Sequence, residues 1–497
     1  MTKRHLTILF VFIALLALVA LPAAAASFPN PGTGSTFTEL VNESSDAATI
    51  QLTYYDVSGN VHQGPQKNIP GNGSIGIDPD SVQLPQNFVG SGVVSSNQPL
   101  ASVVTTKWTG GPGDGFQMGT YSGVSSGSTE LCFPSLWKLN DIIISNFAVQ
   151  NTGVSPVNVD LTYMGRDGTP GGTFSNIEIP AGAQKNFDLS APGEGVPNLT
   201  SPRDGSVKVT VNGSGTIAGV GVANWGSANP NRSRSATYNA VDCAGLSGNT
   251  VLEVPAQYRV VSGSTWILWS AINIQNLENS DAHITVKYTP RDPSKNPSKT
   301  INYTLPANTT VGMNTRNGGN LPANTFEDMG SLWDGTAEIT SDKAIVATVI
   351  TSWGRAGGVY YEAGIYTATD KTRGATKYIV PDYKRLKDGS TWKEWSAAVV
   401  QNLGDVDAHV SMKFYDRSGT LKLQFNNEVI SPLAAIGYNS RFGGSKAPAD
   451  FDPLGTDFAG HVVIESDQPL SVILNSGNWL STSPLRGATG TTNAIPQ

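Results

Sequence analysis

Asn402-Leu403-Gly404-Asp405-Val406-Asp407-Ala408-His409-Val410-Ser411-Met412-Lys413-Phe414 is the stretch that decides the fold of this chain. An asparagine opens a polar turn, and from Ala408 onward every second residue is apolar until the aromatic is reached. A period of two over four apolar positions describes a half-buried β-strand. The same offset of 12 residues runs from Asn42 to Tyr54, from Asn151 to Tyr163 and from Asn276 to Tyr288. The alternation recurs with it, as Ala48, Ile50, Leu52, as Val157, Val159, Leu161, and as Ala282, Ile284, Val286. One module is therefore written four times. An asparagine side chain can bond to backbone two residues on, so its expected role is to shape the turn.

Working outward, an opening stretch ends in proline at Leu131-Cys132-Phe133-Pro134, Leu252-Glu253-Val254-Pro255 and Tyr378-Ile379-Val380-Pro381. A strand follows that ends in Gln-Asn, except in the first module, which has Val41-Asn42. After the aromatic strand come hairpin turns such as Arg166-Asp167-Gly168 and Asp416-Arg417-Ser418-Gly419, whose tip glycine supplies a positive φ. Later in each module a glycine precedes strands that run to a tryptophan: Gly92 to Trp108, Gly205 to Trp225, Gly335 to Trp353 and Gly460 to Trp479. Ser96-Asn97-Gln98-Pro99, Ser341-Asp342-Lys343 and Ser466-Asp467-Gln468-Pro469 read as turns between two paired strands. Short alternating strands separated by turn clusters point to an all-β fold, a tandem array of four immunoglobulin-like β-sandwich domains. The expected units are 27–124, whose opening strand is truncated, then 125–246, 247–371 and 372–483.

This pattern resembles secreted bacterial proteins built from tandem immunoglobulin-like modules, including the CARDB-type modules associated with cell adhesion. The resemblance implies an adhesive or surface-structural role, which a fold by itself does not establish.

Lys3, Arg4 and His5, the apolar run Leu6 to Leu21 and the small residues Ala24 to Ala26 predict a secretory signal peptide over 1–26. No later stretch is apolar enough to span a membrane, so the expected location is outside the cell, secreted or at its surface. Charged residues are 14% of the chain against roughly 25% in typical globular proteins. With Lys3 and Arg4 removed, 30 basic residues face 39 acidic ones, a diffuse negative balance that argues against nucleic acid as partner. The two cysteines, Cys132 and Cys243, are expected to pair and to clasp the ends of the second module. A loop of that length contributes on the order of 4 kcal/mol.

Residues that could carry chemistry are few. His283 and His409 hold equivalent outward positions beside Asp281 and Asp407, short of the three or four ligands a metal site needs. Asp78/Asp80 and Asp405/Asp407 lack the run of oxygens of a calcium loop. No nucleophile elbow, zinc-protease helix or phosphate loop is present, so neither catalysis nor a cofactor is expected. Trp266 and Trp269, and likewise Trp392 and Trp395, stand three apart on extended chain, which places one of each pair inward and the other outward, against a sugar or a neighbouring module. Finally, Arg486-Gly487-Ala488-Thr489 nearly repeats Arg373-Gly374-Ala375-Thr376, so 484–497 reads as a tail resembling a spare opening strand. The expected function is a non-enzymatic structural or adhesive element. The alternatives are a polysaccharide-binding protein using exposed tryptophans, and a subunit that joins neighbouring copies of itself head to tail in filaments.

Overall fold

The computed structural model describes residues 12–16, 32–110, 117–139, 142–199, 203–226, 233–482 and 485–497. The expected cleavage site at Ala24 to Ala26 lies outside them. The protein is all-β, with 67% of the described residues in strands and 4% in helix, and its sheets are arranged as several β-sandwich-like layers.

The third repeat shows the plan. One layer holds Lys299–Leu305, Ala282–Pro290 and Leu332–Ser341; the other holds Thr310–Asn314, Thr265–Asn276, Ile345–Arg355 and Tyr360–Thr367. The opening strand Thr250–Ser262 lies beside Leu332–Ser341 along its length and then turns back as a hairpin into Thr265–Asn276, so it joins the layers. It runs through its proline rather than ending there. Proline has no N–H for the ladder, and at Pro255 the register skips from Val254 to Gln257. The same skip follows Pro134 and Pro381.

Each aromatic strand buries alternate residues. Its terminal aromatic is buried beside another ring: Tyr54 with Phe88, Tyr163 with Phe147, Tyr288 with Trp333 and Phe414 with Phe451. The glycine that lets the chain pass this strand is Gly90 in the first repeat, two residues before the Gly92 marked in the sequence. A Cβ there, or at Gly205, Gly335 or Gly460, would collide with the carbonyl oxygen of the neighbouring strand. The strands after these glycines do not pair with each other as expected. In the second repeat Arg203–Asn212 and Ile217–Trp225 lie in opposite layers, so the intervening turn is a crossover.

All four asparagines are fully buried. Asn151 Nδ2 donates to the carbonyls of Ser155 at 2.8 Å, Ile179 at 3.0 Å and Pro180 at 3.1 Å, while its Oδ1 accepts from the Gly153 N–H at 2.8 Å. Asn42, Asn276 and Asn402 accept from the backbone two residues on and donate four residues on. Each also donates to a carbonyl at the end of the hairpin. The amide thus ties the start of its turn to the far end of the hairpin.

The repeats do not lie in a row. The closing strands Gln117–Ser122, Arg234–Asn239, Tyr360–Thr367 and Leu485–Asn493 pack on one another in cyclic order, the fourth against the first. Small residues permit the approach. A Cβ on Gly119 would come within 2.6 Å of Thr237, one on Gly490 within 2.6 Å of Thr120, and Gly364 faces Thr491 in the same way. At the remaining contact Ala236 and Ile365 share one hydrophobic cluster. The stretch 484–497 is consequently no spare strand. Leu485–Asn493 pairs with the strand before it and Ile495–Pro496 with the opening strand of its own repeat, as Val241–Asp242 does in the second. This removes the donor on which the filament reading depended.

A closed body of this length has an expected radius of gyration of about 23 Å, whereas four such bodies end to end give about 40 Å. Small-angle scattering separates the two, and a value near the larger would refute ring closure.

Candidate interaction surfaces at the repeat junctions

An arginine stands three residues after the aromatic in the second, third and fourth repeats: Arg166, Arg291 and Arg417. Each leaves the tip of its hairpin and enters the next repeat, close to the residue three before that repeat's asparagine. Arg166 donates to Asn273 Oδ1 at 3.3 Å and Asn320 Oδ1 at 2.7 Å. Arg291, held by Asp334 at 2.7 Å, donates to the carbonyl of Ala435 at 2.7 Å; the equivalent of Asn273 here is Val399. Arg417 crosses from the fourth repeat to the first and grips the fully buried Glu39 with Nε at 3.0 Å and Nη2 at 2.7 Å. Ser74 Oγ donates to the same carboxylate at 2.8 Å. In the first repeat the position of the arginine is Val57, and the turn there is seated by Gly59 against Pro180 and Tyr55 against Gly182.

The middle residue of each opening motif also faces the following repeat. Cys132 forms its disulfide with Cys243 at a Cα separation of 5.9 Å, and the pair packs with Val346 of the third repeat. Glu253 accepts from Gln401 Nε2 of the fourth repeat at 2.9 Å. Ile379 packs with Val41 and Ala101 of the first. Val41 stands where the other repeats have glutamine, and here it meets an apolar residue. Burial, and next the carboxylate of Glu338, push the Glu253 carboxyl up to about 8, against the pull of Lys371.

The tryptophan pairs depart from expectation. Register skips place Ile267 and Lys393 as extra residues in their strands, and such a bulge returns residues three apart to one face. Trp266 and Trp269 therefore touch, with ring centroids 6.4 Å apart, and share Arg316 at 5.8 and 4.7 Å. Trp392 and Trp395 share Arg441 at 5.8 and 4.5 Å. Arg259 also lies over Trp266, and Lys387 over Trp392 at 4.4 Å. The faces on which a sugar would stack already carry cations of the same repeat.

A groove of about 430 Å³ opens between the third and fourth repeats, framed by Tyr258, Trp353, Trp395 and Phe442 with Asn439 and Asn475. Phe442 is 57% exposed. The equivalent groove between the fourth and first repeats is smaller, about 210 Å³, and is charged. There Lys384 lies 3.0 Å from Asp382 and 2.8 Å from Glu394, which in turn lies 3.9 Å from Lys107. Burial pushes Asp382 up to about 6, opposed by Lys384.

His283 and His409 sit on exposed strand faces and pair with Asp342 at 2.9 Å and Asp467 at 2.8 Å, not with Asp281 and Asp407. Among the described residues no three His, Cys, Asp or Glu gather as a metal site, and no helix is long and apolar enough to cross a membrane. The arginines, Glu39, Glu253 and the Trp353 groove were not singled out from sequence. The fixed offset of arginine from aromatic was the available signal.

No family model and no curated protein matches the chain. Among solved structures it is similar to the Thermotoga maritima 1070 protein, at 19% identity over 25% of this chain and 97% of that one, with a TM-score of 0.19. It is similar to the Anabaena sensory rhodopsin transducer at 17% identity over 19% of this chain and 96% of that one, TM-score 0.16. Across 98% of this chain and 99% of the other, it is similar at 12% identity to a tetra-tandem repeat in the extending region of a large adhesion protein, TM-score 0.10. All three scores lie below 0.5, and the fold and junctions above rest on this chain's own geometry.

Two predictions follow from the junctions. Arg417→Ala strands a buried carboxylate and is expected to cost about 3 kcal/mol, most of it regained when Glu39→Val is added; denaturant unfolding of the double-mutant cycle measures this, and additive losses would contradict the pairing. For Glu253 the folded pKa lies above the unfolded value of 4.5. Its contribution is therefore full below about pH 4.5 and is lost as pH rises through about 8. Melting curves of Glu253→Gln are expected to fall less with pH between 5 and 8 than those of the unaltered chain; parallel profiles would exclude the buried acid as the cause.

Proposed function

We propose that this chain is a non-enzymatic structural or adhesive protein of the cell exterior, exported by its N-terminal leader and working as one closed body. The observation that carries this reading is the use made of its buried charges. Buried Glu39 is held by the partly exposed Arg417 of another repeat and buried Asp382 by Lys384 along the same boundary, while buried Glu253 is held by Gln401 of the repeat after its own. Groups whose pKa values are displaced are candidates for chemistry or for structural pairing; here the displaced Glu253 accepts a hydrogen bond across a junction and the displaced Asp382 pairs with Lys384. The disulfide suits an oxidising compartment. A rigid ring presents four outward-facing repeats at fixed angles, a form suited to holding surfaces together.

Binding of polysaccharide is the second reading, supported by the aromatic groove, in which Trp395 is the member of the four tryptophans first considered that takes part. Aromatic walls with amide groups at the rim suit the apolar face and hydroxyls of a sugar. Binding of the purified chain to intact cells, and to cells stripped of surface polysaccharide, decides between them. The adhesive reading expects binding to survive stripping and to be unchanged in Trp353→Ala. Binding lost on stripping and in Trp353→Ala would replace it with the glycan reading.

A further inference from the structure

In the second, third and fourth repeats the opening strand covers the edge of the strand that follows the structural glycine. Phe133 stands opposite Val207 and Leu131 opposite Val209; Val254 opposite Ala337 and Leu252 opposite Ile339; Val380 opposite Val462 and Tyr378 opposite Ile464. The first repeat has no such strand in the sequence from Ser27 onward. Its equivalent edge, Gly90–Ser96, is instead covered by Phe12–Leu16 from the leader. Leu16 stands opposite Gly92 and Ala14 opposite Val94, antiparallel, which is the register of the three genuine opening strands. Leu15 takes the position of Cys132, Glu253 and Ile379, the residues that face the next repeat.

We propose that, once the leader is removed, the Gly90–Ser96 edge is an acceptor site for an extended, uncharged, apolar strand of another polypeptide. The inference rests on the leader removal contained in the reading above, but not on adhesion. Three features carry it. The edge Gly-Ser-Gly-Val-Val-Ser-Ser has no charge and no proline, the devices by which natural edges are blunted. The layers of the first repeat are two separate four-stranded sheets, one of them counting Phe12–Leu16, whereas in the other repeats the opening strand links the layers into one sheet. The strand that does occupy the edge is Phe-Ile-Ala-Leu-Leu, which defines the chemistry of the occupant. A second processed copy would have to offer an edge strand already paired on one side in its own chain, whereas the present occupant is a separate strand whose one partner among the described strands is this edge. Main-chain pairing along an open edge, with alternate side chains directed inward, is strand addition.

The test uses the exported chain, its N-terminus read by mass spectrometry. A start at Ser27 is required, and a start at Met1 would overturn leader removal itself. To the Ser27 chain is added a labelled peptide spanning residues 11–18 with lysines appended for solubility. The expected result is 1:1 binding by fluorescence anisotropy, with hydrogen-exchange protection gained along Gly90–Ser96. A peptide with proline at the position of Ala14 is expected to bind at least about tenfold more weakly, having lost a ladder N–H. Equal binding of the two peptides, or protection elsewhere, overturns the site. Dimers in sedimentation whose Gly90–Ser96 edge is protected without peptide would overturn the partner assigned here in favour of a second copy.

Discussion

Everything in this ring hangs on a buried carboxamide. An asparagine that donates into its own turn and to the end of the following hairpin fixes how many residues separate the two strands, and so which face each later side chain takes. With that count fixed, the aromatic enters the core and the residue three beyond it emerges at the hairpin tip. Removing the amide would leave buried carbonyls without donors. The arginine that reaches the next repeat is therefore positioned by hydrogen bonds made far from it.

Equivalent positions carry different chemistry at each junction. Arg166 meets an asparagine, Arg291 a backbone carbonyl beside a valine, and Arg417 a carboxylate. The opening motif varies in step: a disulfide packed on valine, a neutral-leaning acid against glutamine, and isoleucine against valine. Repeats of one fold could in principle dock in any order, and mismatched pairs would bury an unpaired charge. In the order observed, each of these groups meets a compatible partner. Specificity here resides in the differences among repeats, while the fold resides in their likeness.

This division explains what the sequence disclosed. The alternation from Ala408 to Phe414 and its three copies gave the strands, the buried aromatics and the role of asparagine, because these follow from periods and offsets inside one repeat. The pairing of Cys132 with Cys243 was legible for the same reason, both lying at the ends of one repeat. The arrangement of repeats was not, because Gly119 against Thr237 or Arg417 against Glu39 joins residues with no periodic relation. The tryptophans misled through a single bulge, since one extra residue, Ile267 or Lys393, inverts every inside-outside assignment beyond it. The tail misled because similarity to an opening strand was read as surplus, when Leu485–Asn493 is the closing strand that completes the ring.

The first repeat is the point at which likeness fails. It meets the fourth through a charged contact, with both Glu39 carboxylate oxygens accepting from Arg417 and Lys107 drawn to Glu394. Toward the second repeat it has Val57 in place of the arginine, and the short strand Phe12–Leu16 in place of a long opening strand. The charged contact lies where the chain has no covalent link, between its last repeat and its first. Between the first and second repeats, which the polypeptide already joins, the contacts are neutral: Ser122 and Asn239 exchange two hydrogen bonds and Ser91 Oγ donates to the carbonyl of Gly182. Tethering raises the effective concentration of adjacent repeats, whereas the 4–1 junction has no such tether and is held by its own chemistry. On the proposal that the leader is removed, the Gly90–Ser96 edge would open beside these neutral contacts, while the charged 4–1 junction, which does not use that edge, would be unchanged.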